Sequence, residues 1–215
     1  MTTKDSKIPG ATIERIALYS RPLEKFLEQE TELISSERLA ALCNVNPAQV
    51  RKDLSYFGEF GVRGIGYNVR DLLSEIRKIL VSDREWKLAI AGVGNMGKAL
   101  VENVNLLKRG YKFVAAFDSN PERIGKRLPS GLTVQPLTSI GPSKEESGFE
   151  IGVITTGPAY AQAAADSFIR AGVRAILNFS AFQVRQPEGC LVENVDFSIK
   201  LDDLAYHLSS IRGKK

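Results

Sequence analysis

The 215-residue chain has room for one large domain or two small ones, at the usual ~100–200 residues per domain. Its 43% hydrophobic and 25% charged residues suit a soluble chain with a buried core, and exclude collagens and disulfide scaffolds. No stretch approaches the ~20 apolar residues of a membrane span, and the polar start MTTKDSKIPG does not read as a signal peptide.

The net charge of +4 names no partner. Residues 1–84 hold 13 Lys/Arg against 12 Asp/Glu, residues 85–215 hold 16 against 13, and Arg212, Lys214 and Lys215 supply three positive charges at the tail. Cys43 and Cys190 fit no metal-ligand spacing, and His207 is the sole histidine, so no metal site is expected. Two widely separated cysteines suit a reducing, cytoplasmic compartment, with Cys43 as a small core residue in an apolar run.

Texture changes near residue 84: helical patterns precede it, and apolar runs alternating with helical periods follow it. We therefore expect an α/β protein of two domains, residues 1–84 and residues 85–215, with Ser82–Glu85 as the boundary. A first helix is expected from Ala11 to Glu30, with Pro22 kinking it or marking a join. Ser35 caps a second, Ser36 to Cys43. Asn46, with Pro47 at the first helical position and Gln49 three residues after the cap, starts a third that turns Val50, Leu54 and Phe57 inward.

The opposite face of that third helix carries Gln49, Arg51, Lys52, Ser55 and Tyr56, side-chain types that contact phosphates and base edges. Two short helices joined by Asn44-Val45 read as a helix-turn-helix, or equally as a plain helical hairpin with a solvated charged face. Gly58 to Tyr67 follows, four glycines among β-formers around Arg63 and Gly64, and reads as a two-stranded wing. An arginine beside glycine suits a narrow A·T-rich minor groove; a phosphate cradle is the other reading of the loop. Helix, helix, basic helix and wing point to a winged helix.

In the second half, Trp86–Ala91 reads as a buried strand, followed at once by Gly92-Val93-Gly94-Asn95-Met96-Gly97 and a helix from Lys98 to Lys108. A G-x-G-x-x-G turn between strand and helix is the dinucleotide fingerprint. The next strand, Phe113–Phe117, ends in Asp118, placed to bond adenosine ribose hydroxyls. No arginine follows directly and Arg123 is five residues on, so NAD is favoured over NADP. Thr155, Thr156 and Gly157 end a later strand and join the expected cofactor neighbours. Asn178, ending another strand, reads evenly as a cofactor contact or a turn-former. With no catalytic histidine, Tyr-x-x-x-Lys pair or activated cysteine, the nucleotide reads as a signal and not a reagent. Asp196 to Ile211 closes the chain as an amphipathic helix, packed on its own sheet or exchanged within a dimer.

Gln49 to Gly58 and Arg63 to Tyr67, followed in order by Gly92–Gly97, Phe117-Asp118, Ile176–Phe179 and Val192–Phe197, resemble the Rex family of redox-sensing transcriptional repressors over nearly the whole chain. The resemblance implies a homodimer with winged-helix N-domains, Rossmann C-domains and swapped C-terminal helices. It also implies binding to A·T-rich palindromic operators, released by NADH and little by NAD+. By the same likeness Arg51, Lys52 and Tyr56 read the major groove and Arg63 and Gly64 the minor groove. Asp196, with Phe197 beside it, reaches the partner subunit, with Arg21 as candidate counterpart. Two departures bear on the switch: Asn103 stands where some members carry a tyrosine, and Thr156-Gly157 where many carry Val-Pro. The Rossmann half alone also admits a small NAD-dependent oxidoreductase or a CoA-binding module; Asp118 disfavours the latter.

Overall fold

A computed structural model describes residues 8–62 and 64–212. The described residues up to Arg84 form one compact unit, and those from Glu85 onward form a second.

The first unit opens with α1 (Gly10–Glu28), which buries Ile16, Tyr19 and Leu23 along one stripe. It runs through Pro22 as a single helix, so the expected join is absent. β1 (Leu33–Ile34) leads into α2 (Ser36–Cys43), where Ser35 Oγ accepts from Arg38 N–H at 3.2 Å. Asn44 ends α2 in the left-handed region (φ 52°), a conformation asparagine tolerates. In α3 (Pro47–Ser55), Asn46 Oδ1 accepts from Ala48 N–H at 2.7 Å with Pro47 in the first turn, as the sequence predicts.

β2 (Gly61–Val62) and β3 (Gly66–Asn68) form the wing hairpin. A third strand joins it, because β1 pairs antiparallel with β3, Leu33 opposite Asn68 and Ile34 opposite Tyr67. α4 (Val69–Ile79), capped by Asn68 through Asp71 N–H at 3.0 Å, contributes Val69, Leu72, Leu73 and Ile76 to the core shared with α1, α2 and α3. Fully burying each such side chain stabilises the fold by ~1.5–3 kcal/mol. Cys43 lies in this core.

The second unit is built on β4 (Trp86–Ala91), β5 (Tyr111–Asp118), β6 (Val134–Pro136), β7 (Ile151–Ile154), β8 (Ala175–Asn178) and β9 (Leu191–Asn194). All pairings are parallel, in the order β6-β5-β4-β7-β8-β9. Counted within this unit the order is 3-2-1-4-5-6, the doubly wound dinucleotide-binding arrangement, whose switch point lies between β4 and β7.

One sheet face is sealed by α7 (Ile140–Ser147) and α8 (Pro158–Arg170) over a trio of rings. Phe117, Phe149 and Phe168 meet edge to face with centroids 6.0–6.4 Å apart. The other face is covered less. The expected helix Lys98–Lys108 is two short ones, α5 (Asn95–Val101) and α6 (Val104–Lys108), because Asn103 ends the first stretch and caps the second through Asn105 N–H at 3.0 Å. No helix joins β8 to β9 among the described residues. A groove of about 330 Å³ remains there, lined by Leu88, Leu106, Phe113, Ile151, Leu177 and Phe179 among others.

The chain continues as α9 (Phe197–Arg212). Phe197, Ile199, Leu201, Leu204, Tyr206, Leu208 and Ile211 are 49–69% exposed on it, so α9 does not bury an apolar face on its own sheet.

Candidate functional site

Two groups of predicted residues are gathered by the fold, one in each unit. In α3, Val50, Asp53 and Leu54 are buried while Arg51, Lys52, Ser55 and Tyr56 are exposed. The 3.6-residue period therefore places these four on one outward stripe. Arg51 is partly pre-oriented: its Nη1 donates to Ser36 Oγ at 2.8 Å and lies 3.4 Å from Glu37 Oε1, two groups at the start of α2. Ser55 Oγ donates to Lys52 O at 2.7 Å, and Tyr56 is 39% exposed.

Gln49 is placed differently. Its Nε2 donates to Asp53 Oδ1 at 2.8 Å, so its amide is drawn to the base of the helix and does not serve as the capping-box partner of Asn46. Asp53 is fully buried on the inner face, and its carboxylate also takes Arg15 Nε at 2.6 Å, Arg15 Nη2 at 2.8 Å, Tyr19 Oη at 2.7 Å and Thr12 Oγ1 at 3.3 Å. Burial works to raise the Asp53 pKa, but hydrogen bonds from Arg15, Tyr19 and Gln49 outweigh it and hold the carboxyl below its ordinary range. Burial and then the bond to Asp53 push the Tyr19 phenol upward. Asp53 stands among Val50 and Leu54 on the apolar side of the helix, the one signal in the sequence from which this unexpected hub could have been found.

In the wing, Gly64 sits at the exposed tip with φ 82°, and Ile65 N–H donates to Val62 O at 3.0 Å to close the turn. Arg63 lies outside the described residues.

In the second unit, Gly92 to Gly97 follow β4 and Thr155 to Gly157 follow β7, so both loops flank the switch point. Gly92 adopts φ +98°, and a Cβ there would lie 2.7 Å from the backbone of Thr155 and Thr156. A Cβ on Gly97 would strike Gly92 O and come within 2.9 Å of Thr155 Oγ1. Both positions thus need glycine for the β4 turn, the following helix and the β7 loop to close together. Thr155 Oγ1 donates to Gly92 O at 2.6 Å and locks them. Gly94 faces open space, Asn95 is exposed and Met96 is 38% exposed, which leaves that side of the turn accessible. Gly157 caps α8 with extended backbone and is exposed. Thr156 Oγ1 is buried with no hydrogen-bond partner among the described residues.

Asp118 ends β5 and is 4% exposed. Its Oδ2 accepts Val93 N–H at 2.7 Å, tying the glycine turn to the second strand, and its Oδ1 accepts Asn120 N–H at 2.8 Å. Arg123 Nη1 also reaches Oδ2, at 3.1 Å. Burial pushes the carboxyl up, while the Asn120 and Val93 amides and then Arg123 pull it below the ordinary range. Asn178 is fully buried and fully engaged: Nδ2 donates to Phe182 O at 2.7 Å and Asn194 Oδ1 at 2.8 Å, and Oδ1 accepts Ser180 N–H at 3.0 Å. It cross-links the carboxyl ends of β8 and β9.

Arg21 is exposed on α1, and Phe197 is exposed at the start of α9. Asp196 Oδ1 accepts Ser198 N–H at 2.9 Å and Ser198 Oγ–H at 2.6 Å, so it caps α9. Among the described residues no cluster of His, Cys, Asp or Glu could hold a metal, and no helix is long and apolar enough to cross a membrane.

Two family models match the chain: a putative DNA-binding protein N-terminus over residues 7–55 and a CoA binding domain over residues 83–182. The redox-sensing transcriptional repressor Rex of Syntrophobacter fumaroxidans is 51% identical over 206 residues, covering 96% of this chain and 98% of that protein. Rex 1 of Thermotoga maritima is 40% identical, covering 94% and 96%. Among solved structures, RSP in complex with β-NAD+ and operator DNA superposes with a TM-score of 0.89 at 32% identity, covering 97% of this chain and 95% of RSP. RSP in complex with β-NADH gives 0.86 at 30%, covering 97% of each chain. With a DNA-binding unit, a Rossmann-like parallel sheet and relatives of this identity along nearly its full length, the chain belongs to the Rex family of redox-sensing transcriptional repressors.

Proposed function

We propose that this chain represses transcription by laying the outer face of α3 in the major groove of an A·T-rich palindromic operator, and that NADH bound at the β4–β7 switch point releases it. The observation that carries the reading is the union, in one chain, of the exposed Arg51-Lys52-Ser55-Tyr56 stripe with a glycine turn that is sterically closed at Gly92 and Gly97 but open at Gly94. Arg51 and Tyr56 supply base and phosphate contacts, Lys52 and Ser55 phosphate contacts, and Arg63 and Gly64 of the wing enter the minor groove. Gln49 supports this surface from behind through Asp53.

The residues of the cleft fit a dinucleotide. Gly92 and Gly97 leave no room for side chains where the turn must close, Asp118 stands ionised at the end of the second strand, and Thr156 offers an orphaned buried hydroxyl at the switch point. Gly94, Asn95 and Met96 border the pyrophosphate, Val93 orients Asp118, Thr155 to Gly157 wall the nicotinamide side, and Asn178 fixes the neighbouring strand ends. The bound cofactor supplies the redox signal; family members are regulators and not enzymes. Asp118 favours a ribose over the 3′-phosphorylated, differently held adenosine of CoA.

The working form is a homodimer in which α9 of each copy fills the apolar groove on the other's sheet. The chain carries both halves of that contact unsatisfied, the exposed apolar residues of α9 and the groove lined by Leu88, Phe113, Ile151 and Leu177. In the switch, Asp196 exchanges its capping bonds to Ser198 for Arg21 of the partner subunit, with Phe197 moving alongside. A repressor of this kind works where the DNA is, in the cytoplasm. Gel-shift titration of the full chain on an A·T-rich palindrome and on a scrambled duplex tests the reading; equal affinity for both contradicts it.

A further inference from the structure

The turn after β5 brings Arg123 back to the acid from which its place along the chain separates it. Asn120 O accepts Arg123 N–H at 2.9 Å and Ile124 N–H at 3.2 Å, and Asn120 Oδ1 accepts Glu122 N–H at 2.9 Å. The chain therefore reverses immediately beyond Asp118, and residue 123, five positions on, returns to the carboxylate with its Nη1 3.1 Å from Oδ2. The Arg123 side chain remains 43% exposed while that of Asp118 is 5% exposed, so the arginine keeps access to solvent as it pairs with the buried acid.

Two consequences follow from donor and acceptor counts. A carboxylate has about four lone-pair sites. Val93, Asn120 and Arg123 already use three on Asp118, which leaves one for the two hydroxyls of a ribose diol, so the second hydroxyl competes with Arg123 for the acid. A guanidinium has five N–H donors in a rigid fork suited to phosphate. A 2′-phosphate at this point meets an acid whose charge is already paired and a partly exposed cation that uses one of its donors on that acid. A lone carboxylate excludes that phosphate; a carboxylate with an arginine against it excludes it less.

We propose that Arg123 is a specificity-determining residue of this site: it is a cationic arm, held against Asp118, that sets how strongly a 2′-phosphorylated nucleotide is refused. Asp118 and Arg123 thus act in opposition, the acid selecting NADH and the arginine admitting NADPH. The inference rests on the reading of this cleft as the adenosine end of a dinucleotide site.

Equilibrium titration of the full chain with NADH and with NADPH, followed by nucleotide fluorescence, tests it in the unaltered protein, Arg123→Ala, Asp118→Asn and the double variant. Arg123 reaches solvent and lies in a turn, so its truncation leaves the sheet intact. The unaltered protein is expected to prefer NADH. Arg123→Ala should widen that preference about ten-fold, mainly by weakening NADPH, as expected for one partly exposed charge-assisted hydrogen bond. Asp118→Asn should narrow or reverse the preference, and adding Arg123→Ala should remove the NADPH binding so gained. An NADH/NADPH ratio unmoved by Arg123→Ala overturns the inference alone, as does NADPH binding by Asp118→Asn that survives loss of Arg123. Binding of neither nucleotide by the unaltered protein overturns the functional reading and this inference together.

Discussion

Arg15 and Asp53 fasten α1 to α3 by a forked guanidinium–carboxylate pair, 2.6 Å through Nε and 2.8 Å through Nη2. Asp53 is fully buried, so the exposed face of α3 proposed to read DNA is oriented by a charge on its hidden side. Breaking such a pair from one end leaves a buried charge uncompensated, at a cost of ~3–5 kcal/mol when both partners are enclosed. Arg15 retains 27% of its side-chain exposure, which places Arg15→Ala nearer ~2–3 kcal/mol. Denaturant unfolding of the full chain measures this, and the double variant Arg15→Met/Asp53→Leu is expected to recover only part of the stability, because Tyr19 Oη, Thr12 Oγ1 and Gln49 Nε2 lose their acceptor.

The same carboxylate gives a pH dependence of definite sign. Asp53 titrates below its ordinary value in the folded protein, so between the two values the unfolded chain binds more protons. Its contribution is complete above the unfolded Asp value of ~3.9 and is lost as pH falls through the folded one. Asp118 acts in the same direction. Asp53→Asn should lower stability at neutral pH and flatten its decline on the acid side of the unfolded Asp value of ~3.9; an unchanged acid slope would show that Asp53 is not ionised in the fold.

Arg51 is held by Ser36 and Glu37 while its side chain stays 54% exposed, on the face proposed to meet DNA. Arg51→Ala should weaken operator binding by ~1–3 kcal/mol and relax base preference, whereas Lys52→Ala should weaken all duplexes alike and reduce the salt slope by about one. Neither should change nucleotide affinity, because both lie in the first compact unit. Anisotropy titrations across a salt series separate the two, and loss of NADH binding in either would contradict separate sites.

At the glycine turn the decisive contact is steric. Gly97→Ala would drive its methyl into Gly92 O and against Thr155 Oγ1. NADH affinity should fall by at least ten-fold while operator binding persists without nucleotide. Gly94→Ala meets no protein atom in the free chain, so any loss of affinity there reports the ligand's own approach.

The Rossmann half was readable because its pattern is local. A buried run, the glycine turn and an acid ending the next strand each span a few residues and point to a Rossmann-like parallel sheet; the strand order is seen only in the structure. The helix caps at Ser35 and Asn46 were readable for the same reason. What escaped depends on contacts between distant residues. Leu33-Ile34 is too short to show a strand period and becomes β1 only by pairing with β3. Gln49 has the same side chain whether it meets a base or Asp53, and tertiary packing chose Asp53. Arg123 stands five residues from Asp118 along the chain, a separation that hides their contact in the sequence, and the Asn120 turn brings them together. Asn103, a departure from the family pattern, is the residue that divides the expected helix.

Exposed apolar residues on α9 make assembly testable without DNA. Leu204→Asp combined with Leu208→Asp places two charges on a surface expected to be buried in the dimer. Sedimentation velocity should show the unaltered chain as a dimer and the variant as a monomer, and a variant that stays dimeric would place the interface elsewhere.

The central claim is that one nucleotide, in its reduced form, governs the grip on DNA. Its most direct measurement is fluorescence anisotropy of a labelled operator bound by the full chain during parallel titrations with NADH and NAD+. The account predicts that NADH returns the signal to that of free DNA, while NAD+ at the same concentrations leaves most of the complex intact. Equal release by both nucleotides, or no release by NADH at concentrations that saturate the second unit, would contradict it.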